Sequence, residues 1–254
     1  NPFNQNVQVG MALPEFGPEY QKVKTLADSV NAGIRGRVGD TWQFDLAGTW
    51  DHQKNRQLTR LWNGAGFSNL LNHADPSQRF NPFIDYRAPG ARSQAALLEQ
   101  LAVYPNTRSE VEQTGVDFSA NGNVVEFWGG PISLAWGGST SNVEVDTRNV
   151  NYSLVATPVA TIVDQNASQR TNALFAEVAV PLVGKANAKP LISRFEIQAA
   201  GRYEEVGTFS KSVPKLGFTW APVQSLLLRA SWSESFRAPW VTEYMVQQTP
   251  LTST

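Results

Sequence analysis

Arg194-Phe195-Glu196-Ile197-Gln198-Ala199-Ala200-Gly201-Arg202-Tyr203-Glu204 decides the fold. One face carries Phe195, Ile197, Ala199, Gly201 and Tyr203, and the other Glu196, Gln198, Ala200, Arg202 and Glu204. Side chains alternate across a β-strand, so this is a strand with one apolar and one polar face. The pattern recurs. Leu226, Leu228, Ala230 and Trp232 alternate with Leu227, Arg229, Ser231 and Ser233. Trp42, Phe44, Leu46, Gly48 and Trp50 oppose Gln43, Asp45, Ala47, Thr49 and Asp51. Leu174, Ala176, Val178, Val180 and Leu182 form another apolar face, with Glu177 on its reverse.

This periodicity predicts eight strands, at about 28–38, 41–54, 113–128, 131–146, 171–182, 193–204, 212–221 and 225–236. Gly39-Asp40, Gly129-Gly130 and 221–224 read as short turns, and 183–193 as a short to moderate one. The intervening connections are 53–113, 146–170 and 205–211, two of them long, and all fall on one side of an up-and-down sheet. Short turns at one rim and long loops at the other are the habit of outer-membrane barrels, whereas soluble sandwiches carry loops at both ends. Several runs reach the roughly 9–11 residues that cross a bilayer. Trp42 and Trp50 share a face eight positions apart, about 26 Å along a strand at about 3.3 Å per residue. Tilted by about 40°, that is a height of about 20 Å, close to the apolar band of about 25 Å that aromatics flank. Trp128, Phe218 and Trp220 fall near short turns, and Trp50, Tyr203 and Trp232 near long ones. The competing reading makes them core aromatics of a soluble sheet.

Composition agrees. Charged residues are 17% of the 254, below the roughly 25% of soluble domains, yet the hydrophobic fraction is only 41%. A barrel wall meets lipid at every second residue, so its mean hydropathy stays low. No run approaches the length of a transmembrane helix. Asn1-Pro2-Phe3-Asn4 has neither the basic nor the apolar region of a signal peptide. The net charge of -1 speaks against nucleic acid as a partner. Cysteine is absent, which removes disulfides and thiolate sites. Within the connection 53–113, Ser93 is expected to cap a helix running to Leu101, and Asn69–Asn72 to add a turn.

Four motifs in order carry a family resemblance. Ala176-Glu177-Val178-Ala179-Val180-Pro181-Leu182 precedes the strand ending Arg202-Tyr203-Glu204. Then come Trp220-Ala221-Pro222 and Ser235-Phe236-Arg237-Ala238-Pro239. Together they resemble the barrel of TonB-dependent outer-membrane receptors. Gly130–Gly137 resembles the preceding hairpin, and Asn81-Pro82-Phe83 an outer loop of that family. Residues 113–240 carry most of the likeness. The resemblance implies an all-β fold: an antiparallel up-and-down transmembrane β-barrel wall with long extracellular loops containing short helix. Barrels of this family are 22-stranded with a plugged lumen. Residues 1–254 are therefore expected to be a partial barrel domain of about eight strands, a fragment without plug or C-terminal strands. Its edges, 28–38 and 225–236, should be open, and alone it should neither transport nor close into a pore. The rival expectation is that eight strands close as a small barrel.

The implied function is energy-coupled uptake of a scarce ligand of siderophore, cobalamin or oligosaccharide type across the outer membrane of a Gram-negative bacterium. The implied partners are outer-membrane lipid, the imported small ligand, and the TonB complex acting through a plug domain. The alternatives are a soluble all-β carbohydrate-binding module and an outer-membrane enzyme. The residues offer no catalytic set, no cofactor site and no metal site, and they single out no ligand-binding residue. His52 and His73, 21 positions apart, have Asp51 and Asp75 beside them, but two such histidines are more often incidental than a metal pair. Glu204-Glu205 reads as a solvated hairpin end rather than an acid–base pair. Glu177, Glu196, Gln198, Arg202, Lys215 and Arg229 line the polar faces. They either meet plug and substrate or, the favoured reading, pair between neighbouring strands. Arg237 is expected to be a structural clamp at the rim. Trp62, Phe67, Tyr86 and Tyr104 either stack on ligand rings or pack the long loop on itself.

Overall fold

The computed structural model describes residues 13–85, 88–89 and 93–246. Asn1–Asn4, Tyr86 and the polar stretch Gln247–Thr254 lie outside the described residues. The strands are β1 (Tyr20–Val38), β2 (Trp42–Trp62), β3 (Ala102–Val103), β4 (Asn106–Phe127), β5 (Gly130–Tyr152), β6 (Ala160–Val183), β7 (Arg194–Val206), β8 (Phe209–Val223) and β9 (Leu226–Ser233). Three short helices accompany them: α1 (Phe67–Leu71), α2 (Ala95–Glu99) and α3 (Val241–Val246). Among the described residues all nine strands form one sheet in the order β1-β2-β4-β5-β6-β7-β8-β9, with β3 paired to the end of β2. The eight strands of the path are the eight the alternation predicts, and β1 and β9 are its two ends. Nearly all of β1 and all of β9 are exposed.

Cross-strand register assigns the faces. Leu174, Ala176, Val178 and Val180 stand opposite Tyr203, Gly201, Ala199 and Ile197. Ile197, Phe195 and Ala199 in turn face Phe218, Trp220 and Leu216, and those three face Ala230, Leu228 and Trp232. Even positions of β6, odd positions of β7 and even positions of β8 and β9 thus make one apolar surface. It continues through β5, β4 and β2, because Thr140 Oγ1 donates to Asn172 (2.8 Å), Phe118 packs on Trp136 (5.2 Å between centroids), and the Trp50 indole donates to Glu112 (3.3 Å). This surface stays open: Leu174 is 65% exposed, Leu216 and Trp232 each 54%. A soluble sandwich buries such a face against a second sheet; a barrel turns it to lipid.

The ends of the strands differ from expectation. β4, β5 and β6 have 22, 23 and 24 residues, about twice what a bilayer needs. The connection expected at 146–170 shrinks to the turn 153–159, and that at 205–211 to Gly207-Thr208. Beyond the apolar band both faces are polar, so the alternation that marks a strand fades while backbone pairing continues. There polar side chains tie the ladder: Thr107 Oγ1 donates to Asn149 (2.8 Å) and Ser109 lies 3.4 Å from Thr147. Gly39 and Gly207, with φ of 62° and 58°, supply the left-handed backbone their tight turns require.

The chain divides into two compact units. One comprises 1–25, 55–109 and 147–164, and the other 26–54, 110–146 and 165–254. The apolar surface makes a direct prediction for the second. Ile197→Arg puts a charge on the lipid side and should lower unfolding free energy in vesicles by about 2–4 kcal/mol. Gln198→Arg, one residue on and facing the other way, should change it by about 0.5 kcal/mol or less. Denaturant titration of the two variants checks the register, and equal losses would refute it.

Candidate functional site

In the first unit the long connection folds around a core of its own: Phe16, Leu70, Phe80, Leu98 and Leu101, flanked by Trp62 and Phe67. Trp62 meets Phe16 edge-on at 4.8 Å and Phe67 at 5.6 Å, and Phe67 meets Phe80 at 5.4 Å. Of the two readings left open for these aromatics, the structure places Trp62 and Phe67 in packing. The residue that organises them is Arg60, only 6% exposed. Its guanidinium donates to the carbonyls of Phe16 (2.6 Å) and Pro18 (3.1 Å), pairs with Glu99 (2.6 Å), and lies 4.0 Å over the Phe16 ring. Tyr104 donates its hydroxyl to the other Glu99 oxygen. The hydrogen bond from Arg60, then that from Tyr104, hold the Glu99 carboxyl below the usual range. The Glu99 carboxylate in turn raises the Tyr104 phenol above its ordinary value, so it stays protonated.

The predicted helix at 93–101 is shorter, Ala95–Glu99, and Gln94 is its N-cap residue. Ser93 still contributes, because its hydroxyl accepts from Ala95 N–H (3.2 Å) and donates to Glu15 (2.7 Å). Gln94 is buried and clamps Asn81 in both directions: Oε1 accepts from Asn81 N–H (2.7 Å) and Nε2 donates to Asn81 O (2.9 Å). Asn81 Oδ1 then accepts from Phe83 N–H (3.0 Å), an Asx turn. The result is a Phe83 side chain 91% exposed on an anchored turn. Asn63 ties the turn 153–159 into this unit, with Nδ2 donating to Val155 O (2.8 Å).

The histidines are not brought together. His52 Nε2 is 2.7 Å from Glu110 Oε1, which Lys54 also reaches at 3.0 Å. His73 is in a loop beside Asp75. Asp75 caps the turn Pro76–Gln78, and the backbone N–H of Ser77, then its hydroxyl, lower the carboxyl's pKa.

In the second unit the polar face carries charge toward its β9 side. Arg194, Glu196, Gln198, Lys215, Thr219, Arg229 and Ser231 surround a hollow of about 390 Å³. Of the charges expected to pair between neighbouring strands, Glu196 and Arg202 pair along their own strand instead, Arg194 to Glu196 at 2.9 Å and Arg202 to Glu204 at 3.1 Å, while Lys211 reaches Glu234 just beyond the end of the next strand at 3.8 Å. In an extended chain i and i+2 share a face, so long side chains two positions apart on one strand reach each other. Glu204 of the acidic pair is thus bound to Arg202.

After β9 the chain packs back on the polar face. Val241, 1% exposed, sits on Val143 and Val145 with Val111 and Ala167 beside them. Gln169 Nε2 donates to Pro239 O (2.8 Å). Glu243 accepts from Trp240 N–H (3.1 Å) and pairs with Arg237, closing the start of α3 as an N3 carboxylate does. Arg237 therefore clamps its own segment, as expected. The inward packing of Val241 was not legible: a lone valine after a strand gives no sign of its partners about 100 residues upstream.

A family model described as "TonB dependent receptor-like, beta-barrel" matches residues 1–253. A search of curated proteins returned no match.

Two outcomes follow from the Arg60 knot. Arg60→Met leaves three oxygens without their donor, and limited proteolysis between 63 and 105 should accelerate about tenfold or more. Lowered in the folded state, the Glu99 carboxyl contributes stability above its ordinary pKa of 4.5 and loses it as pH falls through the folded value. The same segment should therefore keep its protease resistance from neutrality to about pH 5 and lose part of it in more acid solution. In Glu99→Gln that loss should vanish.

Proposed function

Because the chain belongs to the TonB-dependent receptor β-barrel family, we propose that it supplies wall and outer loops to an outer-membrane receptor that imports a scarce ligand. That family is one of transporters and receptors of the Gram-negative outer membrane rather than of enzymes. The observation that carries the reading is the open apolar face of β6–β9, backed by a polar face of charged and amide side chains. Lipid covers the first, and the second lines a watery lumen. The exposed edges β1 and β9 pair with further strands of a larger barrel, since an unpaired edge is a standing site for aggregation. Ligands of siderophore, cobalamin or oligosaccharide type are met first by the loop unit, where Phe83 stands out on its clamped turn. Coupling to the TonB complex runs through a plug domain seated against the polar face.

The reading is tested by solvent. The purified chain should aggregate in plain buffer, become monodisperse in detergent micelles, and partition into lipid vesicles. A chain that is monodisperse without detergent and ignores vesicles would support the soluble carbohydrate-binding alternative instead.

A further inference from the structure

The lipid-facing side of the second unit is not smooth. Where the apolar band of β1, β2 and β4 meets polar side chains there is a hollow of about 650 Å³. Gly48 forms its floor, with Val30 and Val116 beside it, 57% and 49% exposed. Trp50, Thr114 and Arg170 stand at its rim. All six occupy even positions, the positions that carry the apolar face. The hollow exists because Gly48 has no side chain: a Cβ there would meet nothing nearer than 3.9 Å.

Its two ends differ in chemistry. The floor is aliphatic and open to lipid. At the rim, Arg170 is exposed and makes no ion pair among the described residues. Glu112 and Glu144 lie further along the same face, where they accept from the Trp50 indole (3.3 Å) and the Asn142 amide (2.9 Å). Trp50 marks the interfacial level, where an indole keeps its ring in hydrocarbon and its N–H in the polar layer. A lipid headgroup sits at that depth.

We propose that this hollow is a binding site for a phosphate-bearing, acylated membrane lipid. One acyl chain lies over Gly48 between Val30 and Val116, and the phosphate takes charge-assisted hydrogen bonds from Arg170. Glu112 and Glu144 are placed to accept from hydroxyl or amine donors of the same headgroup. A soluble anion uses only Arg170, and a neutral lipid only the floor. The site demands both, which sets it apart from the non-specific lipid coat of a barrel. It rests on the outer-membrane reading above.

The test uses the full chain in detergent micelles, with retained lipid counted by native mass spectrometry. The probes are phosphatidylglycerol, diacylglycerol of the same chains, and inorganic phosphate. Phosphatidylglycerol should be retained at one per chain, about tenfold more strongly than diacylglycerol. Arg170→Gln should erase that preference, and Gly48→Leu, which fills the hollow without a backbone clash, should weaken retention of both lipids. Arg202→Gln, on the opposite face, should change neither. Three results each overturn the proposal: retention unchanged in Arg170→Gln, retention unchanged in Gly48→Leu, or displacement of the lipid by millimolar inorganic phosphate. A chain that inserts into vesicles but shows no preference refutes this site alone. One that never inserts refutes the receptor reading with it.

Discussion

Everything in this protein depends on the demand that backbone N–H and C=O groups be paired wherever water is excluded. In hydrocarbon an unpaired group costs several kcal/mol, so a strand that crosses lipid must have hydrogen-bonded neighbours on both edges. The antiparallel ladder from β6 to β9 meets that demand residue by residue, from Leu174 opposite Tyr203 to Leu216 opposite Trp232. Once the ladder is fixed, the side chains have no freedom of face. Ile197 and Phe218 must point one way and Gln198 and Lys215 the other. The two ends of the ladder, β1 and β9, are where the demand is still open.

The loop unit solves a different problem. Away from lipid, a connection as long as 63–105 keeps a defined shape only if it buries something of its own. It does so with an aromatic cluster, and it holds the cluster with a buried cation. Arg60 joins the stretch Phe16–Pro18 to Glu99, about 80 residues further along the chain. The cost of burying its charge is offset by three hydrogen bonds, one of them to a carboxylate, and by the face of the Phe16 ring. Beside that cluster the Gln94 clamp on Asn81 fixes the turn from which Phe83 projects.

The polar face of the second unit satisfies some of its charges locally. Arg194 with Glu196 and Arg202 with Glu204 pair along their own strand, so Lys215 and Arg229 are not consumed by them. The segment after β9 seals another part of that face by hydrophobic contact, Val241 against Val143 and Val145.

The eight path strands, their order and their apolar faces were legible in the sequence. Lipid on one side and water on the other impose a period of two that residues such as Phe195–Tyr203 display without any knowledge of neighbours. The family motifs from Ala176 to Pro239 were legible for the same reason, since each sits on or beside such a strand. Past Trp50 or before Thr114 no lipid imposes that contrast, and the reading ended β2 too early and began β4 too late. The hidden features are the ones made by distant residues. Arg60 looks like any polar strand residue until Phe16 and Glu99 close on it, and Val241 looks incidental until Val143 and Val145 receive it. Gly48 looks like one more small residue in a strand until Val30 and Val116 rise on either side. Local alternation determined the wall; only tertiary contact decided the loop knot, the inward segment and the hollow, because the free energy of each resides in pairs that the sequence keeps far apart.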